Sequence, residues 1–139
     1  MPSVVTNQAT EAALRRALER DGFALSRSRV NGETGVDILA KKGRVKVFIE
    51  VMGHKSSPPA RSRDFFANFF RAVSRIQDGA RRCAIAMPSL AGRGLPARAK
   101  HYGMAWTRIG KAFPELEIWL VDIDAREYTR THWNEWSQG

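Results

Sequence analysis

The chain has 139 residues, 43% of them hydrophobic, and a formal net charge of +9. That length suits one packed domain, and that composition points to a packed fold rather than disorder. No run of about 18 apolar residues marks a membrane span, and no basic start followed by an apolar stretch marks a secretory signal.

In chain order, residues 7–21 read as a helix with Leu14, Ala17 and Leu18 along one stripe, stopped by Gly22. FALSRSR (23–29) alternates and reads as a strand, followed by a turn at VNGET (30–34). GVDILAKK (35–42) and RVKVFIEVM (44–52) are rich in β-branched residues and surround Gly43, so they predict a hairpin. GHKSSPPARS (53–62) is a polar loop with two prolines. RDFFANFFRAVSRIQDG (63–79) predicts a helix. Its apolar face carries Phe65, Phe69, Val73 and Ile76, with Phe66 and Phe70 at the border. Asp64, Asn68, Arg71 and Arg75 line the other face at helical spacing.

RCAIAMP (82–88) is a short buried strand, and SLAGRGLP (89–96) a loop. Residues 97–113 predict a further helix, with Ala99, Tyr102, Trp106, Ile109 and Phe113 on one stripe. Gly103 and Gly110 weaken it by about 1 kcal/mol each. LEIWLVDI (116–123) is apolar on both faces, as a central strand would be. From about residue 123 the chain reads as a polar tail that holds Tyr128, Trp133 and Trp136. Those indoles expose too much apolar area to stay free. The tail is expected to pack on its own core or on a second copy, which leaves a homodimer open. Helix, three strands, helix, strand, helix, strand is the order of a single α/β domain over residues 1–139, with a mixed central sheet flanked by helices.

A lone cysteine, Cys83, cannot form an internal disulfide, which fits a reducing, cytoplasmic setting. It reads as a buried apolar residue; a catalytic thiol is the sharper alternative. Charge is uneven. Residues 51–111 carry twelve basic side chains against Asp64 and Asp78, whereas residues 112–139 carry two basic and six acidic. A positive field concentrated in the middle of the chain suggests a polyanionic partner, nucleic acid first. A solvated arginine-rich surface is the plainer reading.

The hairpin holds one acid in each strand. A turn centred near Gly43 places Asp37 opposite Glu50. Two ionised, unpaired acids inside apolar strands are costly. A divalent cation resolves that conflict, since Mg²⁺ takes one or two carboxylates plus waters and phosphate oxygens. A cation so held activates water and stabilises charge on a phosphodiester. Pairing with Arg44, Lys46 or Lys55 resolves it equally.

GVDILA followed by VFIEVMGHK resembles the PD-(D/E)xK nuclease superfamily, in which an Asp on one strand and a Glu-x-Lys on the next form a metal site. The stretch Glu11, Leu14, Leu18, Gly22, Phe23 is similar to the start of archaeal Holliday-junction resolvases and related restriction-type endonucleases. The resemblance covers about residues 8–55. It implies a restriction-endonuclease-like αβββαβ core, Mg²⁺ or Mn²⁺ as cofactor, and a nucleic-acid substrate, DNA above all. It implies Asp37, Glu50 and the carbonyl of Val51 as metal ligands. Glu11 shares the face of Leu14 and Leu18, so it is either a further ligand or a solvated first-turn acid favoured by the helix dipole.

The departure is Met52, which stands where the superfamily has its lysine. Lys55 is the nearest substitute, but strand alternation turns it away from Glu50 unless a bulge at Gly53 re-aims it. Arg71 or Arg75 could also reach in. His54 is a candidate ligand or proton donor beside the site. With Asn68, Arg71 and Arg75, it is assigned to the nucleic-acid surface. His101 and His132 have no visible partner. The sequence therefore supports a metal-dependent nuclease-like protein acting on DNA, weakened by Met52. The alternative is a nucleic-acid-binding module of the same fold without catalysis.

Overall fold

In the computed structural model, residues 4–30 and 33–137 are described. Part of the turn expected over 30–34 lies outside them. Helix α1 spans Asn7–Arg20; the Thr6 side chain caps it by accepting from the Ala9 N–H. Strands β1 (Ala24–Leu25), β2 (Ile38–Lys42) and β3 (Val45–Val51) follow as an antiparallel run. The β2–β3 register pairs Ile38 with Ile49, which carries Asp37 opposite Glu50 as the hairpin turn requires. The first strand is only two residues long, against the seven expected.

Helix α2 spans Pro58–Ser74 and tightens into a 3-10 turn at Arg75–Asp78. It begins five residues earlier than its hydrophobic pattern indicates. The two prolines that mark a loop in the sequence occupy the first helical turn, where a missing N–H costs nothing, and the Ser57 side chain caps that turn. β4 (Cys83–Pro88) runs parallel to β3. After it comes the short helix α3 (Ser89–Gly92).

The helix expected over 97–113 is two. Helices α4 (Leu95–Tyr102) and α5 (Met104–Ala112) break at Gly103, whose φ of 50° is open to glycine. β5 (Leu116–Asp122) runs parallel to β4. The expected tail is ordered structure: β6 (Glu127–His132) pairs antiparallel with Glu117–Asp122 of β5, and a 3-10 turn covers Trp133–Trp136. Pairing on both sides makes β5 an interior strand. Among the described residues the sheet order is β1-β2-β3-β4-β5-β6.

Alternation sorts β3 between two cores. Val47, Ile49 and Val51 join Ile38, Ala84, Ala86 and Trp119 beneath Leu14 and Leu18 of α1. Phe48 and Met52 join Ile85, Met87 and Ile118 beneath Phe65 of α2 and Trp106 of α5. Glu50 points into this second layer, and 1% of it is exposed. Trp133 closes the layer. It stacks on Trp106 with 3.8 Å between ring centroids. Each indole N–H donates to the other residue's carbonyl, at 2.8 and 3.1 Å. The C-terminal aromatics therefore pack on their own core. No helix among the described residues is long and apolar enough to cross a membrane.

Candidate functional site

Asp37 immediately precedes β2, and Glu50 is the penultimate residue of β3. Asp37 is anchored across the hairpin, its Oδ2 accepting from the Val51 N–H at 2.8 Å. Its Oδ1 accepts from Arg29. Glu50 Oε2 accepts from Arg75 Nε at 2.9 Å, and Arg75 also reaches Asp78 at 3.2 Å. Burial first, and then the charge of Asp37, push the Glu50 carboxyl up to about 7; Arg75 and Arg29 pull it back. Two neighbouring acids, each with its own arginine, thus form one cluster at the end of the hairpin.

Of the four groups expected to hold metal, Asp37 and Glu50 come together, and Val51 is bound to Asp37 through its N–H. Glu11 turns elsewhere. Its Oε2 accepts from Arg15 Nε at 2.8 Å and from the Ser28 hydroxyl at 3.2 Å. Arg15 in turn donates to the carbonyl of Asp37 at 3.1 Å, so Glu11 braces the site through an arginine. Among the described residues no group of three or more His, Cys, Asp or Glu side chains is placed to hold a metal.

The remaining assignments need revision. Met52 is 4% exposed and packed in the apolar layer under α2. Lys55 does not turn toward the acids. β3 ends at Val51, Gly53 donates to Asn7 Oδ1 at 2.7 Å, and His54 bridges to Val5. A Cβ at Gly53 would lie 2.0 Å from the Val5 carbonyl, so this close approach requires glycine. Lys55 then pairs with Asp64 at 2.7 Å, half exposed at the start of α2.

Phe65, Phe69 and Val73 of α2 pack inward as its hydrophobic pattern indicates, and the buried face is widened on one side by Asn68 and Ala72. Phe65, Asn68, Ala72 and Val73 are buried, while Phe66 and Phe70 are exposed. Asn68 is therefore no surface contact. Its Nδ2 donates to the Asp64 carbonyl, and among the described residues its Oδ1 has no hydrogen-bond partner. Arg75 is committed to Glu50, and of the expected arginine pair Arg71 alone stands on an exposed surface. Phe65 stacks on Trp106 and Trp133, and Phe69 packs on Phe113 and Trp133, which holds this face of the helix against the core.

Arg29 and Arg15 were not visible as site residues. Arg29 lies in an irregular segment eight residues before Asp37, and no periodicity links the two. His54 lines a cleft beside Met52; burial, and then Arg61, hold its pKa below the usual imidazole range. Cys83 is fully buried, and burial, with Glu115 next, pushes its thiol up to about 12. It stays protonated at neutral pH and is no nucleophile.

The helix, antiparallel β1–β3, α2 and parallel β4 give the αβββαβ order of a restriction-endonuclease-like core, with the acid pair at the end of its hairpin. A solved structure with a similar fold is an XisH family protein from Nostoc punctiforme, at a TM-score of 0.56 and 17% identity, over 89% of this chain and 98% of that one. At that identity the likeness establishes the fold alone. No family model matches the chain, and no curated protein does.

Proposed function

We propose that this chain is a metal-dependent, nuclease-like protein that acts slowly on DNA phosphodiesters. The observation that carries the reading is the placement of Asp37 opposite Glu50, with Glu50 1% exposed on the helix-covered face of the sheet. Asp37 and Glu50 would hold Mg²⁺ or Mn²⁺, with the Val51 carbonyl completing the set. The cation, when bound, activates water and stabilises charge on the phosphodiester. The chain's own groups do the rest. The Val51 N–H fixes the Asp37 carboxylate, Arg29 and Arg75 hold the acids apart from each other's charge, and α2 excludes water from Glu50. Arg75 also places a permanent cation on the face where the superfamily has its lysine, while Met52 offers only packing.

One observation favours the second reading, a binding module without cleavage. Both acids already have an arginine partner, so the cluster is neutralised without metal. Calorimetric titration with Mn²⁺ separates the two. Metal-dependent chemistry requires binding that Asp37→Asn abolishes. Absence of binding, or equal binding by the variant, removes the proposal and leaves the binding module.

A further inference from the structure

A cleft of about 290 Å³ opens where β3 and β4 end, between α2 and α4, and its floor begins at Met52. Met52 shares a face with Glu50 and lies about 6.6 Å further along the chain at ordinary strand rise. The cleft therefore begins two residues along the chain from Glu50, and neither acid lines it.

Its two kinds of wall differ in chemistry. Met52, Phe65, Met87 and Leu95 make an apolar floor, each no more than 4% exposed. Arg61 and Arg98 stand at its mouth. Arg61 is fixed there by donating to the Lys55 carbonyl at 2.7 Å and the Ser56 carbonyl at 3.4 Å. Arg98 donates to the Ser62 hydroxyl at 3.4 Å, and its guanidinium stacks 4.7 Å from the Phe65 ring centroid and 5.9 Å from that of Phe66. Tyr102 meets Phe66 edge-on, which extends the aromatic surface outward. Among the described residues that line the cleft there is no carboxylate.

An apolar slot with a cationic mouth selects a flat, largely apolar group joined to an anion. A nucleotide is such a ligand. The base of a paired strand is inaccessible to a slot of this kind, because it stays stacked within the duplex; an unpaired base is free to enter. Apolar and arginine surfaces hold an unpaired base without regard to sequence, since every base has a π-face.

We propose that this cleft binds one unpaired nucleotide of a nucleic-acid strand, its base on Met52, Phe65, Met87 and Leu95 and its phosphate on Arg61 and Arg98. The inference rests on the nuclease-like reading for DNA as the ligand, and it narrows that reading to single-stranded or frayed substrates.

The test is fluorescence anisotropy in EDTA with a labelled twelve-nucleotide thymidine strand and a blunt duplex of equal length. The single strand should bind at least about tenfold more tightly. Arg98→Ala should remove that preference, and Ser62→Trp, which fills the slot from its rim, should do the same if Arg98→Ala fails to fold. Asp37→Asn should leave the preference intact, so loss of metal chemistry and loss of the base slot are told apart. In competition, thymidine monophosphate should displace the strand at lower concentration than inorganic phosphate. Equal affinity for duplex and single strand, an undiminished preference in both cleft variants, or equal competition by phosphate alone overturns the proposal.

Discussion

In metal-free buffer, Glu50→Gln should flatten the pH dependence of stability between about pH 4.5 and 7. Burial, then the Asp37 charge, raise the Glu50 carboxyl from 4.5 to about 7 in the folded protein. Within that window the native state keeps a proton that the unfolded chain has released. Stability therefore falls as pH rises through the window, and the loss is complete above about 7. Each pKa unit corresponds to about 1.4 kcal/mol, so the full shift amounts to roughly 3 kcal/mol. With 1% of Glu50 exposed, solvent screening takes little from that figure. Gln keeps the shape and has no proton to lose. Urea unfolding followed by tryptophan fluorescence, in EDTA from pH 4.5 to 8.5, should show a wild-type decline of that order and a flatter variant curve. Any constant cost of burying the amide cancels in the comparison. Parallel curves for the two proteins would refute the burial argument.

Removing the other half of the pair should act with the opposite pH bias. Arg75→Met should destabilise by about 3–5 kcal/mol at pH 8, where Glu50 is left as an unpaired buried charge, and by less at pH 5, where it is protonated; the same urea titrations check it. Trp133→Ala should cost about 3–5 kcal/mol, since it empties the stack on Trp106 and removes the indole N–H bond to the Trp106 carbonyl; thermal melts measure it. Arg71→Ala should lower the slope of log affinity against log salt for duplex DNA by about 0.9 if that exposed arginine meets one phosphate. An unchanged slope assigns Arg71 to a face the DNA does not touch.

The hairpin was the most legible part of the fold. β-branched runs around Gly43 define strand type, turn and register together, and so place Asp37 across from Glu50 without tertiary information. Element order was legible for the same reason, because hydrophobic periodicity is local. Where the periodicity misled, a contact distant in sequence decided the outcome. β6 has alternating exposure on an edge and reads as polar until β5 supplies its partner. The countercharges of the site were legible only in part. Arg75, marked by helical spacing as able to reach in, does pair with Glu50, whereas Arg29 reaches Asp37 from an irregular segment that no strand or helix pattern reveals.

Cleavage of a single-stranded and a plasmid DNA with Mg²⁺ or Mn²⁺ tests the central claim most directly, with wild type, Asp37→Asn and Met52→Lys compared side by side. The acid pair and the missing lysine predict slow, EDTA-sensitive cleavage by wild type and none by Asp37→Asn. Met52→Lys should cleave at least about tenfold faster, or about 1.4 kcal/mol of barrier. Cleavage that survives EDTA or Asp37→Asn contradicts the account, as does complete inertness of all three proteins on both substrates, which leaves the binding module in its place.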